Sequence, residues 1–128
     1  PVNEKSVLNI SKKINQIYEQ YLTNQNNVYF TIVPDKNYFI NDENLKLDYN
    51  KLENLLNRNL SFAKYIRIFD MLELEDYYKT DTHWKQERLL KVAKTIAESM
   101  NVNLENKYKE KTICDFQGNC QFLLPKTK

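Results

Sequence analysis

The sequence is poor in the residues that most familiar catalytic sites require. Its 128 residues include one glycine (Gly118), one histidine and two cysteines. Glycine-rich phosphate loops, dinucleotide fingerprints and the Gly-x-Ser-x-Gly nucleophile turn each need more than one glycine, because the backbone must approach a ligand or turn sharply. One histidine and two cysteines likewise cannot form a zinc finger or a His-Glu-x-x-His site. We therefore expect no metal and no cofactor.

Charge and hydropathy argue against two further classes of partner. The formal net charge is +2, and lysines alternate with acidic residues along the chain, so no basic stripe indicates nucleic acid. No apolar run approaches the ~18 residues that a membrane-spanning helix needs. The start of the sequence, PVNEKSVLNI, does not resemble a signal peptide. We expect one globular domain over residues 1–128, with no nucleic-acid partner and no membrane segment in this chain.

The order of hydrophobic patterns predicts an α/β fold. Helical spacing of apolar residues indicates an amphipathic helix over residues 4–22. A β-branched and aromatic run at 28–33, ended by Pro34, indicates a strand, and a second alternating run follows at 65–69. A leucine stripe between the two runs indicates a helix. Strand, helix and strand in this order predict a parallel sheet with a right-handed crossover.

Two elements are predicted after the second strand. Apolar residues at helical spacing predict a helix over residues 83–100, preceded by residues of good N-cap type. Cys114 and Cys120 flank a turn that contains Gly118, which predicts a C-terminal β-hairpin. The two cysteines are either bridged across the hairpin, which favours an extracytoplasmic location, or two partly buried free thiols.

The stretch YYKTDTHWKQ, residues 77–86, holds the only histidine and the only tryptophan. One interpretation is that Asp81 simply begins the helix, since aspartate is favoured there by capping and by the helix dipole. The other is that Asp81 accepts a hydrogen bond from one ring nitrogen of His83. The second nitrogen could then act as general base for a serine hydroxyl, with Trp84 packing to fix the loop.

The motif also resembles a known family. YYKTDTHW is similar to the signature of the DHHW-type proteins of low-GC Gram-positive bacteria and to the Asp-x-His-Trp motif of the alginate O-acetyltransferase group. Both belong to the SGNH hydrolase-like superfamily. The resemblance extends back through VYFTIVPDK and YIRIFDML, so that it covers roughly residues 5–100. It implies a three-layer SGNH-like fold, present here in part, with a short, mainly parallel sheet flanked by helices.

The resemblance implies roles for five residues of the motif. Asp81 and His83 would complete a Ser-His-Asp triad, with Asp81 orienting the base, whereas Tyr78, Thr80 and Trp84 would be structural. The family's serine follows later in the chain, in a Gly-Asp-Ser-type turn. This sequence departs from that pattern because none of its serines follows Gly-Asp, and all precede the motif or lie within its predicted helix. The serines are Ser6, Ser11, Ser61 and Ser99.

The sequence-based hypothesis is therefore a piece of an SGNH-like O-acyltransferase or esterase. Its partners would be an acyl donor and a cell-surface polysaccharide, at or outside the surface of a Gram-positive bacterium, and any signal or anchor would lie outside this chain. Alone, the chain is expected to be inactive. The alternative is a non-catalytic domain that binds carbohydrate, with Tyr77 and Tyr78 as stacking platforms, or that self-associates as a homo-oligomer through a sheet edge or the first helix.

Overall fold

The computed structural model describes residues 1–40 and 46–105 and shows a mixed α/β protein. Over those residues it contains three α-helices and one two-stranded parallel sheet. The chain divides into two compact units, Pro1–Arg67 and Ile68–Lys128. The predicted hairpin with Cys114 and Cys120 lies outside the described residues, and the single-domain assignment stays a prediction.

The first unit is built around a strand–helix–strand crossover. Strand β1 (Val28–Phe30) pairs in parallel with β2 (Ala63–Tyr65), with Val28 opposite Ala63. The crossover includes α2 (Tyr49–Asn59). This confirms the predicted parallel pair.

The strands are shorter than predicted, and the second lies earlier in the chain. Strand β1 ends at Phe30 and does not reach residues 31–33, which were predicted to belong to it. Two further bonds extend the link between the strands: the Ile66 N–H donates to the Phe30 carbonyl at 2.9 Å, and the Thr31 hydroxyl donates to the Ile66 carbonyl at 2.7 Å. The link to β1 thus continues as far as Ile66, and the chain enters a 3-10 turn at Phe69.

Helix α1 (Glu4–Tyr21) packs on α2 with only part of its apolar face. Its start is capped by the Asn3 side chain, which accepts a bond from the Ser6 N–H at 3.1 Å. Tyr18 stacks on Phe62 with ring centroids 4.0 Å apart. Val7 is buried, whereas three other apolar side chains are exposed: 56% for Ile10, 48% for Ile17 and 71% for Tyr21. The predicted amphipathic face is therefore divided into a packed line and an exposed line.

The second unit begins with short 3-10 turns at Phe69–Met71, Leu74–Asp76 and Gln86–Arg88, followed by α3 (Leu90–Ser99). Its buried apolar side chains are Ile68, Phe69, Leu72, Tyr77, Val92 and Ala97. After α3, Asn101 adopts a positive φ of 55°. The N–H groups of Asn101 and Val102 donate back to the carbonyls of Glu98 and Ala97, at 3.1 and 2.8 Å, which is a Schellman ending with asparagine at the position that glycine usually takes.

The prediction of one helix over residues 83–100 is wrong at its start. Helix α3 begins at Leu90, and no side chain caps it. The residues before it are used differently, because Trp84 pairs with Tyr77 in an antiparallel bridge and Gln86–Arg88 form a separate 3-10 turn. A residue engaged in such a bridge cannot also have helical backbone dihedrals.

A helix that crosses a bilayer must be both long and predominantly apolar. Within residues 1–40 and 46–105, none combines the length and the apolar character needed to cross a bilayer.

Candidate functional site

Residues 76–85 form a loop that is closed at its base by backbone hydrogen bonds. Tyr77 and Trp84 form the antiparallel bridge, and the Tyr78 N–H donates to the His83 carbonyl at 3.0 Å. Next to them, the Lys85 N–H donates to the Asp76 carbonyl at 2.6 Å. Residues 79–82 therefore span a short gap between two paired segments, so the positions of Asp81 and His83 are fixed by the base of the loop.

Asp81 turns the loop and contacts His83 at two points. Its Oδ1 accepts a hydrogen bond from the backbone N–H of His83 at 2.9 Å. The same oxygen lies 2.5 Å from Nδ1 of the His83 ring. The first bond spans two residues, as in an Asx turn, and this local geometry brings the imidazole to the carboxylate. The alternative interpretation, in which Asp81 caps the following helix, is wrong, because that helix begins at Leu90.

Burial differs sharply between the two side chains. The Asp81 side chain is 5% exposed, whereas that of His83 is 67% exposed. Because a carboxylate accepts hydrogen bonds, the neutral tautomer that fits this contact is the one with its proton on Nδ1, and in that tautomer Nε2 carries the lone pair. Nε2 is on the side of the ring away from Asp81, so it is open to a reactant. This is the arrangement that a general base requires.

The other residues predicted from the motif differ in burial and in the contacts that they make. Trp84 is half-buried and forms the bridge, while Tyr78 is half-buried and contributes its backbone N–H to the base of the loop. Thr80 is exposed. Tyr77 is only 3% exposed, so its ring cannot serve as a stacking platform for a sugar.

Sequence reasoning missed Asp76 and Lys91. Asp76 is 0% exposed, and its Oδ2 accepts from Lys91 Nζ at 2.7 Å and from the Glu73 N–H at 3.0 Å. Glu73 Oε1 lies farther from the same Nζ, at 3.9 Å. No sequence pattern indicated this pair, because an acidic residue before two tyrosines and a lysine on an amphipathic helix are both ordinary.

Two of the four serines have hydroxyls that bond to their own helices. Ser11, buried in α1, donates to the Val7 carbonyl at 2.9 Å. Ser99, at the end of α3, donates to the Thr95 carbonyl at 2.7 Å. Such i to i−4 bonds are usual for helical serines and leave the hydroxyl without a base that could activate it.

The first unit contains an open depression of about 560 Å³ beside α2. Glu4 and Lys51 border it and form an ion pair at 2.5 Å. Their hydrogen bond lowers the pKa of the Glu4 carboxyl and raises the pKa of the Lys51 ammonium. Because Lys51 is already paired with Glu4, its charge is partly neutralised, and the depression attracts an anion less strongly than a free lysine would make it do.

Among the residues described, no group of three or more His, Cys, Asp or Glu side chains is placed to hold a metal ion.

Comparison with known proteins adds no relative. Scans against protein-family models, curated proteins and solved structures each find no match. The resemblance to the DHHW-type and alginate O-acetyltransferase proteins therefore stays a prediction, carried by the residues of the motif.

Proposed function

We propose that Asp81 and His83 are the orienting carboxylate and the general base of an acyl-transfer site. The site would belong to an SGNH-like O-acyltransferase or esterase that acts on cell-surface glycans. One observation carries the proposal: a buried carboxylate holds Nδ1 of an exposed imidazole at 2.5 Å. The same arrangement forms the base half of a Ser-His-Asp triad, in which the carboxylate fixes the tautomer and stabilises the imidazolium that forms, and this likeness supports the proposal.

The reaction follows from the position of the lone pair on Nε2. His83 removes the proton of a serine hydroxyl as the serine oxygen attacks the carbonyl carbon of an acyl donor. The resulting imidazolium returns that proton to the departing group, and an acyl-serine remains. Next, Nε2 deprotonates a sugar hydroxyl or a water molecule, which attacks the acyl-serine. The tetrahedral intermediate formed in this second attack collapses and releases the serine, which takes its proton back from the His83 ring.

The serine is proposed to lie outside these 128 residues. None of the four serines follows Gly-Asp, as the family pattern requires. Two of them, Ser11 and Ser99, donate to carbonyl groups of their own helices. A serine from another part of the same protein, or from a partner chain, would complete the site at Nε2.

Ester hydrolysis by the protein translated from the complete reading frame tests this function. His83→Ala and Asp81→Asn should each lower kcat/KM for p-nitrophenyl acetate and for an O-acetylated polysaccharide, by about 10³- to 10⁴-fold. Thr82→Ala, which changes an exposed residue between the two, is the matched control and should retain activity near the original level.

Two results would contradict the proposal. Equal rates for the original protein and the His83→Ala variant would remove the base from the mechanism. Turnover of an unactivated acetyl ester by the isolated 128-residue chain, if lost in the same variant, would show that the nucleophile is inside the chain. The alternative of a carbohydrate-binding or self-associating domain stays a prediction, and the burial of Tyr77 removes one of its two proposed sugar platforms.

A further inference from the structure

We infer that Asp76 and Lys91 are positioning residues that hold the Asp81–His83 pair in its hydrogen-bonded geometry. The catalytic consequence of this inference rests on the proposed function. Its structural content does not, because the state of the His83 ring can be measured without any substrate.

Asp76 contacts three parts of the second unit at once. Its backbone N–H donates to the Glu73 carbonyl at 3.0 Å, which forms the turn before the loop. Its carbonyl accepts from the Lys85 N–H at 2.6 Å, on the far side of the loop. Its carboxylate accepts from Lys91 Nζ at 2.7 Å, on α3. The residue therefore links both ends of the loop that carries Asp81 and His83 to the helix behind it.

The buried negative charge of Asp76 depends on the positive charge of Lys91 for its stabilisation. The Asp76 side chain is 0% exposed, and its Oδ1 has no hydrogen-bond partner among residues 1–40 and 46–105. Lys91 is the one cation in contact with Oδ2 among the described residues, and its own side chain is 40% exposed, so the lysine is still hydrated. Without that cation, Asp76 would be a buried carboxylate with one bond from the Glu73 N–H, which is strongly unfavourable. The carboxylate would then move toward water and pull its backbone with it.

The motion would reach the catalytic pair through two consecutive steps of the loop base. Residue 76 is directly before Tyr77, whose bridge to Trp84 follows the Asp76–Lys85 bond. Trp84 is in turn directly after His83. A shift at Asp76 therefore changes the backbone on both sides of the Asx turn, and the contact between Oδ1 of Asp81 and Nδ1 of His83 is the bond that loosens.

The test uses nitrogen-15 chemical shifts of the His83 ring at pH 9. These shifts report the share of the neutral ring that carries its proton on Nδ1, and the signal is unambiguous because the chain has one histidine. Lys91→Met removes the cation and keeps much of the apolar part of the side chain. Asp76→Asn removes the negative charge with which Lys91 pairs. Each should lower the ratio of the Nδ1–H to the Nε2–H form by about threefold, as the partial loss of a partly exposed hydrogen bond predicts.

Two further variants separate positioning from general stability. Lys94→Met makes the same change at an exposed position of α3 and should leave the tautomer ratio unaltered. Lys91→Arg keeps the charge and should restore most of the original ratio. If Asp76→Asn does not fold, Lys91→Met decides the matter. A folded Lys91→Met protein with a lower melting temperature but the original tautomer ratio would overturn the inference and leave the pair as a stabilising contact only.

The inference and the proposed function can fail separately. A changed tautomer ratio in Lys91→Met supports the positioning role even if the complete protein shows no His83-dependent acyl transfer. An unchanged ratio overturns the positioning role even if His83 proves to be the base.

Discussion

Replacing Tyr49 with phenylalanine should change how the stability of the unit Pro1–Arg67 depends on pH. Tyr49 begins α2 and is 7% exposed. Its hydroxyl donates to Oδ2 of Asp35 at 2.9 Å and accepts from the Asp35 N–H at 2.7 Å. The pKa of Tyr49 is raised to about 12 from its ordinary value of 10.0, chiefly by burial. The hydrogen bond from the Asp35 N–H lowers this pKa, whereas the Asp35 carboxylate raises it.

The sign of the effect follows from the raised pKa. At alkaline pH the unfolded chain releases the Tyr49 proton first, so deprotonation favours unfolding. The contribution of the protonated Tyr49 hydroxyl to the free energy of unfolding is fully present below pH 10 and is lost as pH rises through 12. A difference of about two pKa units corresponds to roughly 2 to 3 kcal/mol, of which about 1.4 kcal/mol is lost by pH 11. The pKa of Tyr65 is also raised, by burial and by its bond to Glu53, but that loss is common to both proteins.

The assay is urea unfolding followed by the helical circular-dichroism signal at pH 7, 9, 10 and 11. At pH 7, Tyr49→Phe should be less stable by about 1 to 2 kcal/mol, because the Asp35 N–H loses its partner. By pH 11 the gap should narrow by about 1.4 kcal/mol, since phenylalanine has no proton to release. Tyr21→Phe, at an exposed position of α1, is the matched control and should show no gap at any pH. A gap for Tyr49→Phe that stays constant from pH 9 to 11 would refute the reasoning.

Three further predictions concern the site, the core and a helix cap. Asp81→Ala should lower the ratio of Nδ1–H to Nε2–H tautomers of His83 about tenfold, as nitrogen-15 shifts would show, and an unchanged ratio would contradict the contact. Phe69→Ala, at a residue that is 1% exposed, should lower the free energy of unfolding by about 3 to 5 kcal/mol in urea, and a loss under 1 kcal/mol would mean that the site is not packed. Asp48→Ala should lower the free energy of unfolding by about 1 kcal/mol, because the Asp48 side chain caps α2 by accepting from the Lys51 N–H. Asn50→Ala should lower it by less, and a larger loss for Asn50→Ala than for Asp48→Ala would be inconsistent with this cap.

The α/β character and the parallel pair could be predicted because they rest on local patterns. A β-branched run, a helical stripe and a second β-branched run specify a crossover with little dependence on the rest of the chain. The bounds were less predictable. The register of β1 and β2 depends on which residues face each other, and the alternating run at 65–69 leaves the ladder after Ile66. Sequence alternation shows which residues can form a strand, but tertiary contacts decide which of them do.

The helix predicted over 83–100 shows the same limit more clearly. Its apolar periodicity belongs to α3, and nothing in residues 83–88 marks them as separate. What separates them is the bridge between Tyr77 and Trp84, a pairing that no one-dimensional pattern displays. The Asp81–His83 contact was predictable for the opposite reason, because an Asx turn operates over two residues.

Covalent labelling of the nucleophilic serine addresses the role of His83 with the fewest assumptions, because a fluorophosphonate loses fluoride and phosphonylates only a serine that a base has activated. The protein translated from the complete reading frame would be treated with a fluorophosphonate, and its peptides analysed by mass spectrometry. We predict one labelled serine, in a Gly-Asp-Ser-type turn outside the 128-residue sequence, with labelling lost in His83→Ala and retained in Thr82→Ala. Absence of any labelled serine, or equal labelling in His83→Ala, would contradict the assignment of Asp81 and His83 to an acyl-transfer site.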